Sequence, residues 1–247
     1  MIIDEVFERL VSKAAGRSVS DLRIGLGYVA VTLDNNSCGL AYTFRDEGGE
    51  GCCVLPQAGT LTGQPAVNIA RMAKSLDAIP AAVGLATLNA LIQPPPDAVE
   101  ADAIELLQIG SEDVVGMVGY FAPWVERLRG RTKTLHIFER RRHKEEVLPG
   151  WAATALLPEC TVVILSATTL LNRTLDILLD KCEHARQVAL VGPSTPFLPE
   201  VFARRNVTLL SGVKVMDAGR VLRVVSEGGG TRQFGSAVRK LVLRIGT

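Results

Sequence analysis

The sequence predicts an α/β protein built from two parts with different patterns. Beyond residue 113, short apolar runs alternate with helical segments, which is the spacing of a parallel sheet with crossover helices. Before that point the pattern is an amphipathic helix, a β-hairpin and two more helices. The proline-rich segment 93–97 cannot continue a helix, so it separates the two parts. We therefore expect a small α+β domain over residues 1–95 and a Rossmann-like parallel-sheet domain over residues 96–247.

The first elements are predicted from local periodicity. Apolar residues recur at spacings of three and four over residues 2–15, which indicates an amphipathic helix. Residues 22–33 and 38–44 have the composition of strands, and the Asp-Asn-Asn-Ser between them consists of strong turn formers. These two segments are therefore expected to pair as a hairpin.

A loop and two helices are expected next. Residues 47–64 are rich in glycine, and Pro65 suits the first turn of a helix that we expect to reach about residue 76. Residues 79–91 are apolar on nearly every helical face, so this helix is expected to be buried. Asn89 interrupts it, and a buried amide must find partners. Those partners are either backbone groups between the domains or a ligand in the cleft between them.

The second part is expected to supply the parallel sheet. Its apolar runs are bounded by turn residues, as strands buried on both faces are. Helical periodicity fills the gaps, so each strand is expected to be joined to the next by a helix. The predicted strands are residues 113–118, 134–138, 161–165, 187–191, 207–210 and 220–225, and the predicted helices are 123–129, 151–157, 175–182 and 197–205.

Two of these strands end in polar turns that are the best candidates for a ligand site. In open parallel sheets, the loops just beyond the carboxyl ends of strands line the ligand crevice. Capping of the following helix by Asn172 or Thr174 is the alternative explanation for part of the first turn. The turn residues that we expect to contact a ligand are Thr168, Thr169 and Asn172 after the strand 161–165, and Gly192, Ser194 and Thr195 after the strand 187–191.

A third candidate is the turn after the first predicted strand of this sheet. It contains Gly116 and Gly119 but lacks the Gly-x-Gly-x-x-Gly fingerprint of dinucleotide-binding proteins. Glu139 ends the next strand, where such proteins place a ribose-binding carboxylate. Either these residues hold a nucleotide-like ligand, or Gly119 allows tight packing and Glu139 is a solvated strand end. The absence of a P-loop and of a Gly-x-Ser-x-Gly elbow argues against a P-loop nucleotidase and against a hydrolase of that type.

Composition excludes several classes of partner. The formal net charge is +1, so no strongly basic nucleic-acid footprint is expected. We expect the basic run 140–144 to be a solvated loop, with an anion site as the alternative, because two glutamates follow it directly. No apolar stretch reaches the roughly 18 residues of a membrane helix, and the charged residues 1–16 do not form a signal peptide. A cytoplasmic protein is therefore expected, with a homodimer as the commonest assembly.

Metal ligands are few and poorly spaced. The five cysteines include no Cys-x-x-Cys pair, and His136 and His184 have no zinc-like spacing. Cys38, Cys52 and Cys53 lie within sixteen residues and offer one alternative, a thiol-based carrier of a soft metal. The simpler interpretation is that they are small residues of a strand pair.

The motifs resemble those of a known family of bacterial and archaeal proteins, described as "putative heavy-metal chelation". In that family a domain similar to the N-terminal domain of enolase precedes a Rossmann-like domain. One position departs from the family pattern: Arg173 stands where we expect glycine in an Asn-Gly-Thr sequence, which argues against a tight backbone approach there. The resemblance spans nearly the whole chain and is carried by residues 84–90, 119–123, 138–139, 156–175 and 192–196.

The resemblance implies a ligand site in the cleft between the two domains and a role in handling a metal ion or metal chelate. Among strong metal ligands, only Glu139 and Asp217 are expected near that cleft, and hydroxyls and amides suit an oxygen-rich or anionic ligand better than a bare transition-metal ion. The alternative is an enzyme acting on a nucleotide-like or carbonyl substrate with Glu139 as acid or base. The leading hypothesis is binding of a small anionic ligand or metal chelate by Asn89, Gly119, Glu139, Thr168, Thr169, Asn172, Gly192, Ser194 and Thr195.

Overall fold

The computed structural model describes residues 1–47, 54–140 and 145–246, and these residues form two sheets. A small antiparallel sheet lies in the N-terminal part, and a larger, mostly parallel sheet with helices follows it. The predicted fold class, an α/β protein in two parts, is therefore confirmed. The division into domains at residues 95 and 96 stays a prediction.

The small sheet consists of β1 (Val19–Ile24), β2 (Tyr28–Leu33) and β3 (Cys38–Tyr42). β2 and β3 form the predicted hairpin. The predicted strand 22–33 is wrong as one strand, because the chain turns back on itself after β1. A Cβ atom on Gly25 would lie 2.1 Å from the carbonyl oxygen of Val225, so only glycine allows the C-terminal segment to approach this turn.

One face of the small sheet is covered by helices. They are α1 (Ile2–Ala14), α2 (Ala66–Arg71) and α3 (Ala78–Ala90), of which α3 packs on β2 and β3 while α1 and α2 pack against α3. The helix predicted from Pro65 to about residue 76 is shorter as an α-helix, because it tightens into a 3-10 helix at Met72–Lys74. α3 is buried on nearly every face, as its composition predicts.

The larger sheet has the parallel pattern that the alternation of strands and helices predicts. Its strands are β4 (Val114–Val118), β5 (Thr134–Glu139), β6 (Val147–Pro149), β7 (Val162–Ser166), β8 (Gln187–Val191), β9 (Leu209–Val215) and β10 (Val238–Arg244). Within the described residues their order is β10-β9-β8-β7-β4-β5-β6, and all neighbours are parallel except β9 and β10. The chain order reverses between β4 and β7, which makes their carboxyl ends the topological switch point of the sheet.

One short helix precedes the first of these strands, and others connect later strands. They are α4 (Ala103–Leu106), α5 (Ala122–Leu128), α6 (Ala153–Leu156), α7 (Leu175–Asp180) and α8 (Pro199–Phe202). The predicted helices 151–157 and 197–205 are correctly placed, but 3-10 turns make up part of each. The sequence does not indicate α4 or β6, because elements of three or four residues carry too little periodicity.

The C-terminal segment differs from the prediction. Residues 220–225, expected as a strand, belong to the helix α9 (Ala218–Ser226). The helix buries Val221 and Val225 together, four residues apart, against Ala30 and Leu40 of the small sheet. α10 (Thr231–Phe234) follows, and its last residue packs edge-on against a tyrosine of β2. The small sheet is thus covered by α3 on one face and by α9 and α10 on the other.

The two parts of the molecule share their packing. Buried apolar residues of α1, α3, β7 and α7 belong to one continuous cluster, so the N-terminal helices pack directly against the larger sheet and its helices. Glu5 of α1 also pairs with Arg205, which follows α8. No helix in the described ranges is both long enough and apolar enough to cross a membrane.

Candidate functional site

The carboxyl ends of β4, β5, β7 and β8 open into a cleft of about 830 Å³. Tyr28 and Tyr42 of the small sheet, together with Phe44 just beyond β3, close the other side of the cleft. Small-molecule sites commonly measure roughly 300–1,000 Å³ and lie at switch points of this kind. The cleft therefore has the size and the position of a ligand site.

Most of the predicted ligand-binding residues line this cleft. They come from four different strand ends, which the sheet brings together although they are far apart in sequence. Asn89 and Thr195 are not among the lining residues and have structural partners instead. The predicted residues that line the cleft are Gly119, Glu139, Thr168, Thr169, Asn172, Gly192 and Ser194.

The loop after β7 supplies a wall of hydroxyl groups. The Ser166 and Thr168 hydroxyl oxygens are 2.8 Å apart, so they share one hydrogen bond and leave one hydroxyl proton for another acceptor. The Thr169 hydroxyl donates to the Ser166 carbonyl oxygen at 2.6 Å. These bonds fold the loop into a 3-10 helix over Ala167–Leu170 and keep its polar side chains together.

Asn172 and Thr174 form the second half of this wall. Asn172 Oδ1 accepts hydrogen bonds from the Thr174 N–H at 3.2 Å and from the Thr174 hydroxyl at 2.7 Å. Thr174 occupies the N-cap of α7 without a side-chain bond to the helix, so capping does not explain this pair. Since Asn172 Oδ1 is occupied, the amide Nδ2 is the group that Asn172 can offer to a ligand.

Glu139 and the Gly119 turn are joined to each other. Glu139 Oε1 accepts the Tyr120 N–H at 2.7 Å, and the Gly119 N–H donates to the Phe138 carbonyl oxygen at 2.9 Å. Gly119 has a φ of +103°, and a Cβ atom there would lie 3.0 Å from Ser166 Cβ. Because two N–H groups of the turn are already bound, the turn is not an open phosphate cradle. Glu139 Oε2 has no hydrogen bond within the described ranges and can accept one from a ligand.

The loop after β8 is fastened to the small sheet. Ser194 Oγ accepts the Tyr42 N–H at 2.8 Å, and Asn89 Nδ2 donates to the carbonyl oxygens of Ser194 at 3.1 Å and Leu40 at 2.9 Å. The Thr195 hydroxyl donates to the Ser211 carbonyl oxygen at 2.9 Å. Asn89 and Thr195 line a separate cavity of about 140 Å³ behind this loop. Asn89 thus bonds backbone groups of both parts, the first of its two expected roles.

Aromatic rings form the opposite wall, and sequence reasoning did not assign them to the site. Tyr42 and Phe44 are in edge contact with ring centroids 5.2 Å apart, and Tyr28 is 5.9 Å from Tyr42. Burial raises the pKa of Tyr28 to about 12, with a further contribution from Tyr42, so its hydroxyl stays protonated. Trp151 lines the rim and is 76% exposed. The one available signal was the period of two in Tyr42-x-Phe44, which puts both rings on one face.

The cleft carries little net charge. Among its described lining residues, Glu139 is the only acid and Arg140 the only base. The Arg140 guanidinium pairs with Glu47, and its central carbon lies 5.3 Å from the centroid of the Phe44 ring. The rest of the predicted basic run, residues 141–144, lies outside the described ranges.

The described residues do not form a binding site for a bare metal ion. No group of three or more histidine, cysteine, aspartate or glutamate side chains comes together within the described ranges. Burial raises the pKa values of the Cys38 and Cys182 thiols to about 12 and that of Cys160 to about 11, so these thiols stay protonated. Cys52 and Cys53 lie outside the described ranges, so the thiol-carrier alternative stays open there.

The expected position of Asp217 near the cleft is wrong. Its Oδ1 accepts the Arg220 N–H at 2.9 Å, so it caps α9, and it is not among the residues that line the cleft. His136 lies within β5, where its ring centroid is 6.1 Å from that of Phe138, and His184 is exposed. Neither histidine lines the cleft.

Arg173 has a backbone conformation typical of glycine, and its side chain donates hydrogen bonds to carbonyl oxygens. Its φ is +63°, in the left-handed region that glycine adopts without strain. The guanidinium points away from the cleft toward the N-terminal helices. At this position the arginine thus adopts the left-handed conformation that favours glycine.

Two family models match separate parts of the chain. Residues 102–244 match the DUF364 family and residues 7–92 match the DUF4213 family, both described as "Putative heavy-metal chelation". An uncharacterised protein of Methanocaldococcus jannaschii is 30% identical over 260 aligned positions, which cover 99% of this chain and 98% of that protein.

Two solved structures of DUF364 proteins with unknown function are similar over the whole chain. The protein from Desulfitobacterium hafniense has a TM-score of 0.83 and 27% identity, with 98% of each chain covered. The protein from Pyrococcus horikoshii has a TM-score of 0.87 and 24% identity, with 99% of this chain and 100% of that chain covered, and it supports the fold alone. The chain therefore belongs to the DUF364 family, described as "Putative heavy-metal chelation".

Proposed function

We propose that the protein binds a small organic metal chelate in the cleft between the small sheet and the carboxyl ends of the larger sheet. The observation that carries this proposal is that the cleft has an aromatic wall, a polar wall opposite it, and one carboxylate, that of Glu139. Aromatic rings of Tyr42 and Phe44 face a wall of hydroxyl and amide groups, and Glu139 lies between the strand ends. A planar organic molecule that presents oxygen atoms on one edge is complementary to these two walls.

The set of donors favours a chelate over a bare ion. A transition-metal ion bound by protein alone needs three or four nitrogen, sulfur or carboxylate ligands. The described residues of the cleft offer one carboxylate, and the described cysteines keep their protons. A metal whose coordination is already filled by an organic ligand needs no such cluster.

The charge of the cleft favours a chelate over a free anion. Glu139 leaves one carboxylate oxygen exposed to the cleft, and the guanidinium of Arg140 is already paired with Glu47. A carboxylate repels an anion and attracts a chelate whose net charge is positive. The bound N–H groups of the Gly119 turn argue against a nucleotide in the same way, because they are not free to receive a phosphate.

Each wall has a distinct role in this proposal. The rings of Tyr42, Phe44 and Trp151 contact the flat face of the organic part and exclude water from it. The hydroxyls of Ser166 and Thr168 and the Nδ2 group of Asn172 donate to its oxygen atoms. Glu139 attracts the positive charge of the metal through the oxygen that the Tyr120 N–H leaves free.

Titration calorimetry with three probes tests the proposal. The probes are the 1:1 Fe(III) complex of 2,3-dihydroxybenzoate, whose net charge is positive when the ligand is a dianion, the metal-free 2,3-dihydroxybenzoate, and Fe(III) nitrilotriacetate, which lacks an aromatic ring. We expect the aromatic complex to bind most tightly. Glu139→Gln should weaken its binding about tenfold, or about 1.4 kcal/mol, and should not weaken binding of the metal-free compound, because that compound is an anion and lacks the metal's charge.

Glu112→Gln is the matched control. Glu112 is an exposed glutamate before β4, at the opposite end of the same sheet, and the same charge is removed there. This variant should bind every probe as the wild type does. No binding of the aromatic complex by the wild type, or equal binding by Glu139→Gln, contradicts the proposal.

A further inference from the structure

Arg173 belongs to the loop that forms the hydroxyl wall, but it does not line the cleft. Arg173 lies between Asn172 and Thr174, and both of its neighbours line the cleft. Its φ of +63° is unfavourable for a residue that carries a side chain. Strained backbone conformations persist only where surrounding contacts hold them. The contacts of the Arg173 side chain therefore decide the shape of this part of the wall.

The guanidinium of Arg173 binds the end of an N-terminal helix. Its Nη2 donates to the carbonyl oxygens of Ala73 and Ser75, the second at 2.5 Å. Its Nη1 donates to the carbonyl oxygen of Leu170 in its own loop at 3.2 Å. Ala73 lies in the 3-10 helix Met72–Lys74 and Ser75 is its C-cap. Both carbonyls thus belong to the negative end of a helix, where a cation is favourable.

Asp176 makes the complementary contact three residues further along. Its Oδ1 accepts the N–H of Ile2, the first residue of α1, at 3.0 Å. A carboxylate is favourable at the positive, N-terminal end of a helix. Arg173 therefore binds the C-terminal end of one N-terminal helix, and Asp176 binds the N-terminal end of another. Each end meets a side chain of the favourable charge.

We propose that Arg173 is a positioning residue that holds Asn172 and Thr174 in their ligand-facing geometry from outside the cleft. Asn172 Oδ1 accepts both the N–H and the hydroxyl of Thr174, so these two groups close a small ring of hydrogen bonds around Arg173. The guanidinium ties that ring to the N-terminal helices. The effect on ligand affinity rests on the proposed function, whereas the effect on the order of the loop does not.

Two substitutions distinguish the effect of the Arg173 side chain from the effect of its strained backbone. Arg173→Gly removes the guanidinium together with the strain, and Arg173→Ala removes the guanidinium but keeps the strain. The amides of Asn172 and Thr174 report the order of the loop, because they donate to the carbonyl oxygens of Thr168 at 3.3 Å and Thr169 at 3.1 Å. We expect their hydrogen exchange to be at least tenfold faster in both variants and intermediate in Arg173→Lys, which keeps the charge.

Arg205→Ala is the matched control. Arg205 also joins the N-terminal part, through Glu5, and it donates to the Val201 carbonyl oxygen, but none of its hydrogen bonds reaches the loop after β7. Exchange of the Asn172 and Thr174 amides should stay within twofold of wild type in this variant. Unchanged exchange in Arg173→Gly, or equal acceleration in Arg205→Ala, overturns the positioning role.

Binding of the Fe(III) complex of 2,3-dihydroxybenzoate tests the consequence for affinity. We expect Arg173→Gly to weaken binding about tenfold in the wild-type background and less than twofold in an Asn172→Ala background, because the group that Arg173 positions is then gone. Tenfold losses in both backgrounds contradict a role through Asn172. If the wild type binds none of the probes, the proposed function fails, and the exchange measurement still decides whether Arg173 orders the loop.

Discussion

Two carboxylates mark opposite ends of the larger sheet, and they have opposite surroundings. Asp113, just before β4, accepts hydrogen bonds from the Gly110 N–H at 2.8 Å, the Thr161 hydroxyl at 2.7 Å and Arg186 Nη2 at 2.6 Å. Glu139, at the end of β5, accepts one bond, from the Tyr120 N–H. The amino end of the sheet is thus a closed polar network, whereas the carboxyl end keeps bonding capacity for a ligand.

The closed network changes the acidity of Asp113. Burial alone would raise its pKa, but the hydrogen bonds from Arg186, Gly110 and Thr161, together with the charge of Arg186, lower it to about 2. A carboxylate that is held so strongly in its charged form contributes to folding. Asp113 therefore contributes to stability, whereas Glu139 keeps a carboxylate oxygen that can accept a further hydrogen bond.

The largest effect on stability is expected from removing the carboxylate of Asp113 at the amino end of the sheet. Asp113→Asn removes the ion pair with Arg186 and turns an amide group toward the donors that surround the carboxylate. We expect a loss of about 3 kcal/mol in the free energy of unfolding, at the lower end of values for buried pairs because Arg186 is partly exposed. Urea unfolding measures it. Glu112→Gln, one residue earlier, should change the same quantity by less than about 0.5 kcal/mol.

A smaller loss of stability is expected when Asp113 is protonated at low pH. The pKa of Asp113 is about 2 in the folded protein against 3.8 as its ordinary value, so its contribution is complete above pH 3.8 and is lost as the pH falls through 2. This contribution amounts to about 2 kcal/mol. The wild type should lose more stability than Asp113→Asn between about pH 5 and about pH 2. Parallel losses in the two proteins would show that other carboxylates dominate.

The smallest of these three effects on stability is expected from Glu139 at the carboxyl end of the sheet. In Glu139→Gln the side-chain oxygen can still accept the Tyr120 N–H, and no second partner is lost within the described ranges. We expect the free energy of unfolding to change by less than about 1 kcal/mol in urea titrations. A loss as large as that of Asp113→Asn would mean that the two ends of the sheet do not differ as proposed.

Local pattern and general topology were sufficient to predict where the polar turns lie, whereas their binding of a ligand stays a prediction. The turns after β7 and β8 were identified because a polar turn followed each apolar run, and parallel strands bring such turns to one edge. Thr168, Asn172 and Ser194 line the cleft for that reason. Glu139 ends β5, as predicted, although its hydrogen bond from the Tyr120 N–H could not be predicted from spacing.

The sequence pattern did not predict the local structure where contacts with distant parts of the chain determine it. Residues 220–225 are rich in valine and resemble a strand, but the outer face of the small sheet favours a helix that buries Val221 and Val225 together. Gly25 divides a predicted strand because the Val225 carbonyl oxygen approaches it. Asn89 bonds Ser194, 105 positions away, and no periodicity encodes that contact.

The packing of α9 against the small sheet also orders events during synthesis. Ala30 and Leu40 leave the ribosome early, whereas Val221 and Val225, which cover them, are added about 180 residues later, roughly 10–40 s at ordinary elongation rates. During that interval the nascent hairpin exposes an apolar face that its own helices cannot reach. The N-terminal part can therefore complete its native packing only after Val221 and Val225 have been translated.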